Sequence, residues 1–151
     1  MTKHFYNIVL SQSIIEGGIM PLHTRSIKAP KRDDDGVRIS VMSRHTKEDG
    51  VTPDPEIHEG SYDEWWVVLA PPPRLIGAYC RKEISWDEFA AIFREYLMFP
   101  QVELLLWRLI KRARVSSVTI LCAEDTPARC HRRLIAEMCS AIDPSLEVRI
   151  E

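Results

Sequence analysis

No stretch of this sequence approaches the roughly 18 to 20 consecutive apolar residues that a bilayer-spanning helix needs, so no transmembrane segment is expected and a membrane partner is excluded. Neither sign of charge dominates: 20 Lys and Arg stand against 22 Asp and Glu, a net charge of −2. That balance gives no global attraction to nucleic acid or to an acidic membrane, so any binding of phosphates must be local. No secretory leader is expected either. Polar residues interrupt the apolar ones in "NIVLSQSIIEGG", no small-residue cleavage pattern follows, and a cytoplasmic location is expected. The four cysteines, Cys80, Cys122, Cys130 and Cys139, include no C-x-x-C pair; without a leader they read as reduced thiols. Internal repeats and low-complexity tracts are absent. What remains is ordinary globular composition, 45% hydrophobic and 28% charged, in 151 residues, enough for one domain whose core needs no disulfide staples.

Residues 1–19 are weakly patterned and read either as an edge strand or as a loose extension ahead of a single domain at 20–151. Asp35-Gly36 is a strong turn signal, and Val37, Ile39 and Val41 alternate with polar neighbours as an early strand. Residues 46–62, rich in Asp, Glu, Gly and Pro, read as a long surface loop. The triple proline Pro71 to Pro73 predicts an extended connector, with a short helix starting near Leu75. Ser85 and Glu88 have capping-box spacing and Ile84 and Phe89 occupy staple positions. They open a helix that turns Phe89, Ile92, Phe93, Tyr96 and Leu97 inward and stops at Pro100. A second helix, about residues 101 to 114, buries Val102, Leu105, Leu106 and Leu109; its terminal "KRAR" suits a helix C-terminus and needs no ligand to explain it. A buried strand Val118–Leu121, a helix from Pro127 to Ile142 and a strand with Leu146, Val148 and Ile150 on one face make a βαβ unit. The fold class is therefore α/β: one three-layer domain with a mostly parallel, Rossmann-like sheet and a C-terminal βαβ unit.

The most unusual stretch is "VTILCAEDTPARCHRRLIAE", residues 118–137. A strand ends on Cys122, an acidic loop follows, and Thr126-Pro127 reads as the cap and first residue of a helix. That placement puts Arg129, Cys130 and His131 in its first turn. Free N–H groups and the positive end of the helix dipole favour an anion or a thiolate there, with Arg129, Arg132 and Arg133 adding charge. Cys130 is accordingly expected to have a lowered pKa. Three readings stand open: a reactive or redox cysteine pair, a metal site of Cys122, Cys130 and His131, and inert packing with polar capping. From Cys122 to Arg129 the loop is one residue longer than the cysteine loops of phosphatases and rhodaneses. Arg44 and His45 follow the first strand and are expected to reach the same sheet edge as Cys122. Trp65 and Trp66 are read as core aromatics, and Cys80 and Cys139 as packing residues.

Four segments, "DGVRISVMSRHT", "LAPPPRLIGAY", "ISWDEFAAIFREYL" and "VTILCAEDTPARCHRRLIAE", together resemble the bacterial and archaeal family catalogued as domain of unknown function 488. The resemblance covers about residues 22 to 140, and its most specific element is a strand-end cysteine followed by "CHR", here Cys122 and Cys130-His131-Arg132. It implies a compact α/β fold with a site around those residues, to which Arg38 and Arg44 contribute from the first strand, and it implies no reaction. Longer members carry Trp-Pro-Arg after that strand, where this chain has "HTKEDG".

The leading expectation is a small-molecule binding or thiol-dependent enzymatic domain. Cys130 would be nucleophile or redox thiol, with Cys122 beside it and His131 as acid or base. Arg38, Arg44, His45, Arg129 and Arg132 would hold an anionic group. The alternatives are a non-catalytic module that binds nucleic acid or a protein through the basic turn, and a Cys/His metal site. No cofactor and no oligomeric state is indicated, and no metal is assigned.

Overall fold

The computed structural model describes residues 20–151; the expectation for residues 1–19 lies outside them. Five strands and four helices follow in the order β1 (Leu22–Ser26), β2 (Val37–Ser40), β3 (Glu64–Trp65), α1 (Pro73–Cys80), α2 (Trp86–Leu97), α3 (Pro100–Val115), β4 (Val118–Cys122), α4 (His131–Ile142) and β5 (Val148–Ile150). The strands form one all-parallel sheet in the order β3-β2-β4-β1-β5. The fold is α/β, as the sequence pattern indicates.

Period-two alternation sorts the strand residues onto two unlike faces. Leu22, Val37, Ile39, Val41, Val118, Ile120 and Val148 share one face and pack against Phe89, Phe93, Leu97, Leu106, Leu109, Leu134 and Ile135 of the helices. The opposite face carries Arg25, Arg38, Ser40 and Thr119, all buried. Loops rather than helices cover it. Asp35 accepts from Arg25 Nη1 at 2.9 Å, from Arg38 Nη1 at 2.6 Å and from the Arg32 N–H at 2.9 Å. Thr119 donates to the Asp35 carbonyl, and Arg38 Nε donates to the Ser61 carbonyl. The layers are therefore helices, sheet and loops. Gly36 sits at φ +63° where a Cβ would lie 2.0 Å from the Ser117 carbonyl oxygen, so this turn admits glycine alone.

Local signals place α2 and α3 well. The Ser85 side chain accepts from the Glu88 N–H while Glu88 reaches back to the Ser85 N–H, closing a capping box. Ser85→Ala is expected to lower stability by about 1 kcal/mol, read as a shift of the urea midpoint; an unmoved midpoint would deny the cap its role. Pro100 opens α3 as its first residue. Arg112 is committed to Glu64 and Arg114 to Asp143, so both arginines of "KRAR" have partners within the fold.

Four details differ from the sequence reading. The polar segment "LHTRS" is β1, a strand inside the sheet. The C-terminal strand–helix–strand unit therefore crosses over β1, and β4 and β5 flank it instead of pairing. Helix α1 begins at Pro73 itself, because a first helical residue needs no N–H. Ile92 is exposed: buried positions Phe89, Phe93 and Leu97 recur every fourth residue and leave it on the outer edge. Trp65 is exposed, whereas Trp66 packs against the core.

Candidate functional site

All five residues of β4 are buried, and the strand delivers Cys122 to the carboxyl edge of the sheet, where parallel α/β folds gather their ligands. The loop 123–129 then returns the chain so that Cys130 caps α4. The expected helix start at Thr126-Pro127 is not used: α4 begins at His131, with Cys130 extended at φ −132°, ψ 137°. Arg132 accounts for the difference. It is fully buried, and Nη1 donates to the Glu124 carbonyl at 2.7 Å while Nη2 donates to the Glu151 carbonyl at 3.1 Å. The loop is thus pinned back over the first turn in place of continuing it.

This folding-back brings together Cys122 Sγ, Cys130 Sγ and a ring nitrogen of His131, all within 4.8 Å of one another. His131 Nδ1 lies 3.5 Å from Cys122 Sγ, and Nε2 lies 2.7 Å from the Val41 carbonyl oxygen. A carbonyl only accepts, so Nε2 carries the hydrogen and Nδ1 turns its lone pair, or in the imidazolium its proton, toward the sulfur. Phe93 packs edge-on against the same ring at 5.9 Å. Arg132 Nη1 also donates to Cys130 Sγ at 3.2 Å.

Electrostatics divide the two sulfurs. The Cys122 thiol is pushed below its ordinary value, first by the S–H of Cys130. The N–H groups of Ala123 and Glu124 and the Arg132 guanidinium assist, and together they outweigh burial. Cys130 is pushed up, because removing its proton would set a second negative charge beside Cys122 in a buried site. The direction expected for Cys130 is thereby reversed: within this pair the Cys122 thiol is shifted down and the Cys130 thiol up. Cys139 lies in the core, where burial alone raises its thiol to about 12, and Cys80 is exposed on α1.

The sulfurs are covered. Cys122 is 4% and Cys130 1% exposed, and Ile27, Met42, Ile57 and Leu121 close over them with Tyr62 and Ala123 alongside. Met42 is held by its carbonyl, which accepts from Trp65 Nε1 at 2.6 Å. Outside this lid, Glu124, Asp125, Thr126, Ala128 and Arg129 line a depression of 300 Å³ on the loop.

The remaining predicted site residues do not join the cluster. Arg38 is 2% exposed on the opposite sheet face, its guanidinium occupied by Asp35 and two carbonyls. Arg44 is exposed and donates to the Gly50 carbonyl. His45 pairs Nε2 with Ser40 Oγ at 2.8 Å, stacks on Trp65 at 4.1 Å and meets the Tyr62 ring at a tilt at 4.6 Å, where burial lowers its pKa. Its neighbour Tyr62 packs against the sulfur cluster. Arg129 stands exposed on the loop rim, with no ionic partner among the described residues. Two contributors escaped the sequence reading: the Val41 carbonyl, which no side-chain pattern can reveal, and the lid residues Met42, Ile57 and Tyr62, which lie in or beside an otherwise polar loop.

A family model described as the active DUF488-N3 subclade matches residues 22–142 of the chain, the stretch that carries the buried Cys–Cys–His constellation. The chain belongs to the DUF488 family. The match spans every element from β1 to α4. No curated protein and no solved structure matches the chain. Among the described residues no helix is long and apolar enough to cross a membrane.

Proposed function

We propose that this DUF488 domain is a thiol-dependent enzyme acting on a small anionic substrate, with Cys122 as attacking sulfur and His131 as its proton partner. The observation that carries this reading is the 3.5 Å contact between Cys122 Sγ and His131 Nδ1, with the far nitrogen locked on the Val41 carbonyl. A nucleophile, a base within reach and a third group orienting the base are the parts that activate a sulfur. Cys130, the Ala123 and Glu124 N–H groups and Arg132 keep negative charge on the attacking atom. Arg129 on the rim is the cation placed to meet an incoming anion. Arg132 acts instead by positioning the loop, and Arg38 and Arg44 by holding other segments. Since the lid covers the sulfur, turnover includes displacement of Met42, Ile57 and Tyr62, and closure afterwards excludes water from the reaction.

The test is alkylation of the full chain by iodoacetamide across a pH series, with peptide mapping to assign the adduct. Cys122 is expected to react ahead of Cys130 and Cys139. Its rate should stay level as pH falls past about 8.5, where a free cysteine begins to lose tenfold per pH unit. An unmodified Cys122, or a rate falling like that of a free thiol, would overturn the proposal.

A second reading has its own support. Two sulfurs and a nitrogen within 4.8 Å, with the ligating ring anchored through its other nitrogen, also suit a zinc-type ion. Stoichiometric metal in the purified protein, with Cys122 unreactive until a chelator is added, would favour it.

A further inference from the structure

We infer that Cys122 and Cys130 interconvert between dithiol and disulfide, Cys130 serving as the resolving thiol for oxidised sulfur formed on Cys122; this rests on Cys122 being the attacking sulfur. The two sulfurs bracket one loop, 123–129, whose fold-back is held by the Arg132–Glu124 bond and sets them within 4.8 Å of each other. Cys130 sits at the N-cap, yet its side chain makes no capping hydrogen bond, so helix α4 does not require the thiol. Its Sγ lies instead within 4.8 Å of Cys122 Sγ. Arg132 Nη1, 3.2 Å from Cys130 Sγ, is placed to take up negative charge when Cys130 is released as thiolate. Cys139 and Cys80 have no such neighbour: the first is enclosed by core residues and the second is exposed on α1.

The oxidant that suits a covered site is a small uncharged hydroperoxide. The Cys122 thiolate attacks one peroxide oxygen, the O–O bond breaks, and the leaving hydroxide takes a proton to become water, which leaves a sulfenic acid on Cys122. The Cys130 sulfur then attacks the Cys122 sulfur. An S–S bond forms, the S–O bond breaks, and the oxygen departs as water with the proton from Cys130. In sum two thiols and one hydrogen peroxide give one disulfide and two waters. A dithiol reductant returns two electrons and two protons by exchange through a mixed disulfide.

The experiment treats the full chain, carrying Cys80→Ser to remove the exposed thiol, with one equivalent of hydrogen peroxide. Intact mass and a non-reducing peptide map follow, with dimedone present in a parallel sample. The expected result is loss of two hydrogens, a cross-link joining the peptides of Cys122 and Cys130, and full reversal by dithiothreitol. Adding Cys130→Ser, or Cys130→Ala if the serine form does not fold, should abolish the cross-link and leave a dimedone adduct on Cys122. A dimedone adduct on Cys122 without any cross-link while Cys130 is present would overturn the resolving role and leave the attacking sulfur in place. No modification of Cys122 in either folded chain would overturn both.

Discussion

Replacing Asp35 with alanine is expected to lower the folding free energy by about 3–5 kcal/mol, the penalty for leaving a buried charge without its partner. Asp35 is 1% exposed, and the two guanidiniums it joins, Arg25 and Arg38, are 5% and 2% exposed. Without the carboxylate both cations stay trapped under the loop layer and repel one another. Against a total stability of about 5–15 kcal/mol for a domain this size, such a loss brings the urea midpoint down sharply. Asp35→Asn keeps the shape and most hydrogen-bonding capacity, so a similar loss there would assign the effect to charge. A change below about 1 kcal/mol in both variants, the range of an exposed pair, would refute the buried triad. The same group sets an acid limit. Burial pushes the Asp35 carboxyl up, but the Arg32 N–H and the Arg25 and Arg38 guanidiniums outweigh it and hold it below the ordinary range. Its contribution is therefore complete above about pH 4, the value of an unfolded carboxylate, and is lost as pH falls through the lower folded value.

Phe93→Ala should cost a comparable amount, about 3–5 kcal/mol, as a large aromatic removed from a closed core. Phe93 is wholly buried and packs against Phe89 at 6.1 Å, Tyr96 at 6.0 Å and His131 at 5.9 Å between ring centres. The last contact ties the core to the sulfur cluster, since the edge of Phe93 is one of the supports fixing the His131 ring. Two readouts are therefore expected to move together: the urea midpoint, and the pH profile of Cys122 alkylation under conditions where the variant remains folded. Phe93→Leu fills most of the same volume and should recover stability while still removing the aromatic support. An alkylation profile unchanged in both variants would show that Phe93 serves packing alone.

What the sequence disclosed follows the range of the forces involved. Helix α2 was legible because its capping box and four-residue spacing lie within one short segment, and α3 because Pro100 marks its start. Strand β2 showed its alternation for the same reason. Strand β1 did not, because His23 and Arg25 face a layer of loops; the partner that makes Arg25 tolerable in a sheet is Asp35, on a later turn. The proximity of Cys122, Cys130 and His131 was legible, since strand, loop and helix follow one another directly. Which of the two thiols is shifted down was not. Thr126-Pro127 has the chemistry of a helix start, and only the pull of Arg132 on the Glu124 carbonyl moves that start to His131 and turns Cys130 toward Cys122. The polar partners of Arg38, namely Asp35 and the Ser61 and Ala29 carbonyls, were equally hidden, since they lie on separate turns of the chain.

The position of β1 between β4 and β5 constrains how the protein is made. Strand β1 precedes α1–α3 in the chain while both strands that pair with it follow them, so β1 stays without these partners until the three helices have been made. Sheet closure through such distant partners predicts slow folding, and a nascent chain whose early product is the helical α1–α3 segment.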